Sequence, residues 1–503
     1  NISHLHPLVR ANNWKTRNLV LAGNFNMTNT SELFKQLVDL GQYPVETSDT
    51  ITVLEKIGHF LDEENQKLYS DYKQKGLSKK EITNHIVDNI DLQTVLSDSA
   101  KRWDGGYVIG GLVGHGDAFI MRDPNGIRPA FYYADDEVIV AASERPVIQT
   151  AFDTSFKDIK EVPPGHALII KKDGSINTSR FMEKKLVKAC SFERIYFSRG
   201  TDKDIYKERK ALGALLTPNI LEEINYDLKN TVFSYIPNTA SVAFQGMMDK
   251  IHLFSAEMIK EKILKNKDNI SAEMLNAFFN SNPRTESIAV KDAKLRTFIT
   301  EDNQRNDLVG HVYDVTYGVV KNGVDTLVVL DDSIVRGTTL KQSIIQILDR
   351  LHPKKIIIAS SAPQIRYPDC YGIDMAKLSD FVAFNAAIEL LKETKQDHII
   401  NDVYNNSKAQ ENLPMEEITN FVKDIYKPFT ASQISEKVGQ LVKAKGVEAD
   451  VKVIYQSIEN LHIAIPNHTG DWYFTGNYPT PGGNKVVNQS FINYIEGINS
   501  RAY

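Results

Sequence analysis

The stretch 328–343 reads Val-Val-Leu-Asp-Asp-Ser-Ile-Val-Arg-Gly-Thr-Thr-Leu-Lys-Gln-Ser, and it leaves the chain few folds to choose from. An apolar run, 326–330, stops at two carboxylates, Asp331 and Asp332. A loop of small residues, 333–339, follows and opens into a helix pattern over 339–351, with Leu340, Ile344, Ile345, Leu348 and Leu351 on one face and Pro353 closing it. A second apolar run at 356–359 completes strand, loop, helix and strand, the unit from which parallel sheets are built. In such sheets ligands sit beyond the C-terminal ends of the strands, which is where the two aspartates fall.

The junction has the chemistry of a phosphate cradle. Backbone amides of the loop and of the helix start converge, Gly337 lets the backbone come close, and the hydroxyls of Ser333, Thr338 and Thr339 add donors. Asp331 and Asp332 can accept hydrogen bonds from sugar hydroxyls or help hold Mg2+. A ribose carrying a phosphate satisfies both halves. Neither Gly-x-x-x-x-Gly-Lys-Ser/Thr nor Gly-x-Gly-x-x-Gly occurs, which disfavours a P-loop or a dinucleotide fold. The bland alternative is a strand-to-helix turn in which Asp and Ser cap the helix, the right reading for a lone Asp-Ser pair. The whole stretch resembles the phosphoribosyl pyrophosphate (PRPP) loop of type I phosphoribosyltransferases. Its wording is most similar to that of the amidophosphoribosyltransferase family, whose loop residues imply that Ser333, Ile334, Val335, Arg336, Gly337, Thr338 and Thr339 hold the 5-phosphate.

Bulk properties narrow the setting. With 503 residues, 42% of them hydrophobic, the chain is long enough for two or three cores. Its 59 Lys and Arg against 64 Asp and Glu give a net charge of −5, with no global pull toward nucleic acid or anionic membrane. Apolar runs are too short to span a bilayer and no secretory segment is evident, so a cytoplasmic protein is expected. Two cysteines, Cys190 and Cys370, are too few for a disulfide framework, and they cannot supply the four thiolates of the iron-sulfur cluster found in some members of the family.

The first segment, to about residue 185, alternates short apolar runs (19–22, 107–113, 118–121, 138–142, 167–170) with helical spacing at 31–40 and 50–61. Three of its pieces resemble the glutaminase domain of N-terminal-nucleophile amidotransferases: Leu-Ala-Gly-Asn-Phe-Asn-Met-Thr-Asn at 21–29, Thr-Ser-Asp at 47–49, and Arg-Asp-Pro-Asn-Gly-Ile-Arg-Pro at 122–129 followed by Ala-Ser-Glu. The resemblance implies that Asn24 donates to the oxyanion formed on glutamine and that Asp49 anchors the glutamine amino group. Phe25 stands where the family has Gly, and its side chain is expected to crowd that pocket. The family's nucleophilic cysteine is expected upstream of Asn1. Cys190 and Cys370 are in no position to replace it, so glutamine hydrolysis is not expected of this polypeptide alone.

The second segment continues in the family's order. Residues 191–199 resemble the strand that opens its phosphoribosyltransferase domain, and Ile-Pro-Asn-Thr-Ala at 236–240 resembles its pyrophosphate loop, which gives Thr239 a hydroxyl near Mg2+. Amphipathic material at 245–286 reads as a helical insertion. Residues 290–299 resemble the mobile loop, with Lys291 and Arg296 as candidates to neutralise departing pyrophosphate. The run that follows, 301–307, is acidic where the family's lid is basic. Ser-Ser-Ala-Pro-Gln-Ile-Arg-Tyr-Pro-Asp-Cys-Tyr-Gly-Ile-Asp at 360–374 is similar to a run that separates the family from salvage enzymes. A strand is expected at 472–474.

The fold expected is α/β and α+β: a glutaminase-type αββα sandwich over 1–188, a type I phosphoribosyltransferase doubly wound parallel sheet over 189–400, and a helical and aromatic extension over 401–503. The resemblance implies transfer of ammonia from glutamine to PRPP with Mg2+ as cofactor, the first step of purine synthesis. It also implies purine nucleotides as feedback ligands, a homo-oligomer, and no nucleic-acid or membrane partner. Two rival readings are a catalytically impaired PRPP or nucleotide sensor, favoured by Phe25 and the acidic lid, and a salvage phosphoribosyltransferase, disfavoured by the glutaminase-like half.

Overall fold

The apolar run before the paired aspartates is the strand Thr326–Asp331. In the computed structural model, which describes residues 5–44, 46–279, 282–291, 313–338, 340–373 and 375–502, it is the middle strand of a five-stranded parallel sheet. The order across that sheet is Arg284–Thr285, Thr231–Tyr235, Thr326–Asp331, Lys355–Ser360 and Asp450–Tyr455. Leu327, Val328, Val329 and Leu330 are all fully buried, because helices cover both faces of a parallel sheet. Leu327 and Val329 join the core that holds Leu340, Ile344 and Leu348 of the following helix. Val328 and Leu330 join the one formed with Leu216, Ile220 and Met247 of helices Lys203–Glu223 and Ser241–Lys265. At about 1.5–3 kcal/mol per buried side chain, these four residues alone hold the strand firmly in place.

The first half is the expected sandwich. Six antiparallel strands run in the order Leu8–Arg10, Leu19–Met27, Gly105–Val113, Ala118–Arg122, His166–Ile170 and Ile176–Arg180. Leu21, Phe25, Tyr107 and Ile109 bury one face against Leu33, Val53, Leu61 and Leu96 of the helices between them. The other face packs through Leu168 on Ala130 and Val162, beside a three-stranded sheet, and helix Arg145–Phe152 lies against that sheet.

Several expectations are corrected. The helix expected over 339–351 begins with a wide turn, Leu340–Ile344, and is α-helical only over Ile345–Asp349. Residues 191–199 form no strand; Glu193–Phe197 is a wide helical turn. The 245–286 stretch is divided: Met247, Met248 and Ile251 are core residues of a helix that starts at Ser241, whereas the short helix Ala272–Phe279 buries no residue. The parallel sheet extends past 400, since Asp450–Tyr455 supplies its edge strand and pairs with Lys355–Ser360. Trp472–Thr475 is a helical turn; its three rings, Trp472, Tyr473 and Phe474, all enter the core, so burial overrides their strand propensity.

Candidate active site

Parallel register brings three segments level at one end of the sheet. Tyr235 is opposite Leu330 and Asp331 is opposite Ser360, so the loop 236–240 and the run 360–362 flank the two aspartates. The amide of Ile236 donates to the Leu330 carbonyl at 2.8 Å. The amides of Ser361 and Ala362 donate to the carbonyls of Asp331 and Asp332, each at 3.0 Å. Thr239 is half-buried in the first of these loops, which carries a cis peptide at Pro237–Asn238.

The two side chains are held in an unfavourable state. Asp331 is half-buried and Asp332 is 9% exposed. Burial, reinforced by the neighbouring Asp332 charge, pushes the Asp331 carboxyl well above the usual carboxylate range. Burial likewise pushes Asp332 up to about 6, with the Ser333 hydroxyl and the Arg209 guanidinium pulling the other way. The Ser333 hydroxyl donates to Asp332 at 2.9 Å. Such a pair calls for a hard cation. Mg2+ is commonly held by one or two carboxylates plus substrate phosphates, so the donor set fits it, although the described residues contain no group of three or more His, Cys, Asp or Glu able to form a cage.

Behind the aspartates the loop is anchored. Ile334 is buried in the core, and the Val335 carbonyl accepts from the Val382 amide at 2.9 Å. Gly337 has φ +68°, and a methyl group there would lie 2.9 Å from Val382. The left-handed backbone and the helix behind it both favour glycine here. Arg336 is exposed, 3.6 Å from Asp380, and Thr338 is exposed. Lys291 ends a strand, Ala289–Lys291, paired with Tyr313–Val315. Its side chain, Arg296, Thr339 and the acidic run 301–307 lie outside the described residues.

In the first half, Asn24 points from the strand Leu19–Met27 into a cavity of about 660 Å³ between the halves, lined also by Arg128, Ser143, Glu144, Gly372 and Ile373. The Phe25 ring does not enter this cavity. Strand alternation turns its ring to the opposite sheet face, where it is 9% exposed and stacks on His6 at 5.5 Å. The same imidazole accepts from the Gly23 amide at 3.1 Å. Ser48 caps the helix Asp49–Gln74, and burial raises the Asp49 carboxyl against the pull of the Thr50 and Met27 amides and of His6. Asp49 thus comes within electrostatic range of His6, whose ring contacts both neighbours of Asn24. Both cysteines are fully buried, which pushes Cys190 up to about 12 and Cys370 well above the usual thiol range.

The halves meet over buried charge. Arg128 donates to Glu193 at 2.5 Å and to the Tyr371 carbonyl, 243 positions away, at 3.0 Å. Asp369 accepts from the amides of Tyr371 and Ile373 at 2.9 and 2.7 Å, and from the Tyr473 hydroxyl at 2.9 Å. Arg145 makes two bonds of 2.8 Å to Asp202. Asp104 accepts from Thr28, from Thr480 at 2.5 Å and from the Gly482 amide at 3.3 Å, tying the helix Pro481–Glu496 to the first half. Sequence reading missed Arg209, which donates to the carbonyls of Arg194, Tyr196 and Ser198 and faces Asp332. It also missed His6 and Gly372. Each acts through contacts distant in sequence, and no local pattern marks them.

No family model matches the chain. An amidophosphoribosyltransferase of Pasteurella multocida is 26% identical over 409 residues, covering 78% of this chain and 70% of that protein. Those of Escherichia coli (27% over 389 residues, 75% of this chain and 66% of that one) and Saccharomyces cerevisiae (26% over 386 residues, 74% and 65%) are similar. The chain thus spans about two thirds of the length of these curated relatives. Among solved structures, a glutamine PRPP amidotransferase from B. subtilis, complexed with ADP and GMP, has a TM-score of 0.59 at 22% identity, over 95% of this chain and 81% of that one. Another, the allosteric regulatory enzyme of purine biosynthesis, also has a TM-score of 0.59, at 22% identity over 95% of this chain and 79% of that one. The likeness extends to both halves of the fold. Among the described residues no helix is long and apolar enough to cross a membrane.

Proposed function

The chain is a homologue of the amidophosphoribosyltransferases along three quarters of its length, and from that premise we propose that it is a phosphoribosyltransferase of the glutamine amidotransferase type, joining ammonia to PRPP in the first step of purine synthesis. One observation carries the reading: Asp331 and Asp332 stand together at the C-terminal end of the central parallel strand, with the 236–240 loop level beside them. The loop 333–339 holds the 5-phosphate and the aspartates engage the ribose hydroxyls or the metal. Asp331, Asp332 and Thr239 would hold Mg2+, which when bound neutralises the pyrophosphate of PRPP.

Little covalent chemistry is asked of the protein. The nitrogen of ammonia attacks C1 of the ribose, the C1–O bond breaks with its electron pair leaving on pyrophosphate, and the ammonium formed loses a proton to give phosphoribosylamine. The protein contributes by aligning the two reactants and excluding water, which would otherwise compete for C1. Lys291 and Arg296 are assigned to the leaving pyrophosphate. In the first half, Asn24 donates to the oxyanion formed on glutamine and Asp49 holds its amino group. Purine nucleotides are assigned as feedback ligands, a reading supported by the ADP and GMP named with the B. subtilis structure.

The test is one assay with four arms: PRPP and Mg2+ with ammonia, with glutamine, with a purine base, or alone, following pyrophosphate. Release with ammonia is the expected result. Release only with a base would replace the reading with a salvage enzyme, and PRPP binding without release would replace it with a sensor.

A further inference from the structure

The loop 369–373 of the second half ends against Asn24 of the first. Its shape is fixed from three sides. Asp369 gathers the amides of Tyr371 and Ile373. The Tyr371 carbonyl takes Arg128. The Cys370 carbonyl accepts from the Asn26 side chain, 344 positions away, at 2.8 Å. The loop therefore cannot drift relative to the strand Leu19–Met27. At its tip Gly372 has φ +100°, and a methyl group there would lie 2.9 Å from Oδ1 of Asn24, 3.4 Å from Nη2 of Arg128 and 3.6 Å from the carbonyl carbon of Phe25. Both Asn24 and Gly372 line the 660 Å³ cavity.

We propose that Gly372 is a positioning residue for Asn24: by its close approach to the carboxamide oxygen, the second half limits the orientation of the side chain in the first, so that its NH2 group is the one presented to the cavity. The inference deepens the glutamine part of the proposed function and rests on it. In the isolated sandwich, the Asn24 side chain would choose among its rotamers, and a carbonyl oxygen and an NH2 group would present to the cavity in turn. A methyl group at 372 would force the Asn24 carboxamide to shift, and the left-handed backbone there is poorly tolerated by other side chains. This close approach makes a donor site in one half depend on the correct seating of the other.

The test uses the full chain labelled with 15N-asparagine in a deuterated background. The Asn24 NH2 signals are assigned by their loss in Asn24→Ala. In Gly372→Ala these signals should shift, and their exchange with water should quicken by about fivefold or more as the carboxamide is displaced. Glutamine binding should weaken about tenfold for Gly372→Ala in the Asn24 protein, and by less than about twofold in the Asn24→Ala background, since the effect passes through Asn24. Gly372→Asn, which accepts positive φ more readily, carries the same measurements if Gly372→Ala fails to fold. Unmoved Asn24 signals, or an equal loss of glutamine affinity in both backgrounds, would overturn the proposal. Absence of glutamine binding by the unmodified chain would instead overturn the glutamine reading, and the NMR measurement would still decide the role of Gly372.

Discussion

The carboxylates of Asp331 and Asp332 and the backbone bonds that fix them come from two short runs, 331–335 and 360–362, carried on adjacent strands. Asn24 is placed differently. Its own strand supplies the side chain, but the space in front of it is shaped by Arg128, Glu193 and the loop 369–373, so that part of its surroundings arrives from hundreds of residues away. The first site is built within one domain, and the second is enclosed by the meeting of two. Damage to the domain junction should therefore spare the first and cripple the second.

The largest effect is expected from Arg128→Met. It leaves Glu193 and Asp369 as buried, uncompensated charges, a loss of about 3–5 kcal/mol. Thermal unfolding by calorimetry should then separate into two transitions, with PRPP binding retained by the upper one. A single transition with less than about 1 kcal/mol of loss would show that the halves do not depend on this contact.

Gly337→Ala should lower stability by about 2 kcal/mol in urea unfolding, through the strained backbone and the collision with Val382, and should weaken PRPP along with it. Unchanged stability would mean that the loop has room behind it, and that the anchored picture of the acceptor end is wrong.

Asp332→Asn should stabilise the cation-free chain by on the order of 2 kcal/mol at pH 8 while abolishing Mg2+-dependent PRPP binding. The Asp332 carboxyl is raised in the folded state, so the native chain takes up its proton before the unfolded chain does. The stability of the unmodified chain accordingly falls as pH rises from about 4 through about 6, and the gain from Asp332→Asn should vanish near pH 4. A pH-independent difference would sink the assignment of burial strain to this pair.

The smallest effect on stability is expected from Asn24→Ala, within about 0.5 kcal/mol, because the side chain is exposed to the cavity. Ammonia-dependent pyrophosphate release should be unchanged while glutamine affinity falls. A loss of the ammonia reaction would mean that the two sites are coupled.

Much of the acceptor end was legible because its chemistry is continuous in the chain. A run of four apolar residues, two acids and a small-residue loop can be read without knowing what lies opposite. A second reason for Gly337 was hidden for the same cause: sequence shows the loop, and only packing shows Val382 behind it. The side to which the Phe25 ring turns was not legible because period-two alternation had to be counted from the true start of a nine-residue strand, and the local pattern marked only its first four positions. The edge strand at 450–455 and the helical turn at 472–475 depended on which neighbours were available to bury them, and propensity does not encode that.

What the sequence by itself determined is the order of the elements, the central strand with its two terminal carboxylates, and the separation into two segments. All of these follow from hydrophobic period and turn chemistry acting over fewer than about twenty residues. The tertiary structure alone decided the raised state of Asp331 and Asp332, the support of Asp332 by Arg209, and the close approach of Gly372 to Asn24. Desolvation and charge depend on distance in space, and only the folded chain brings those residues within range of one another.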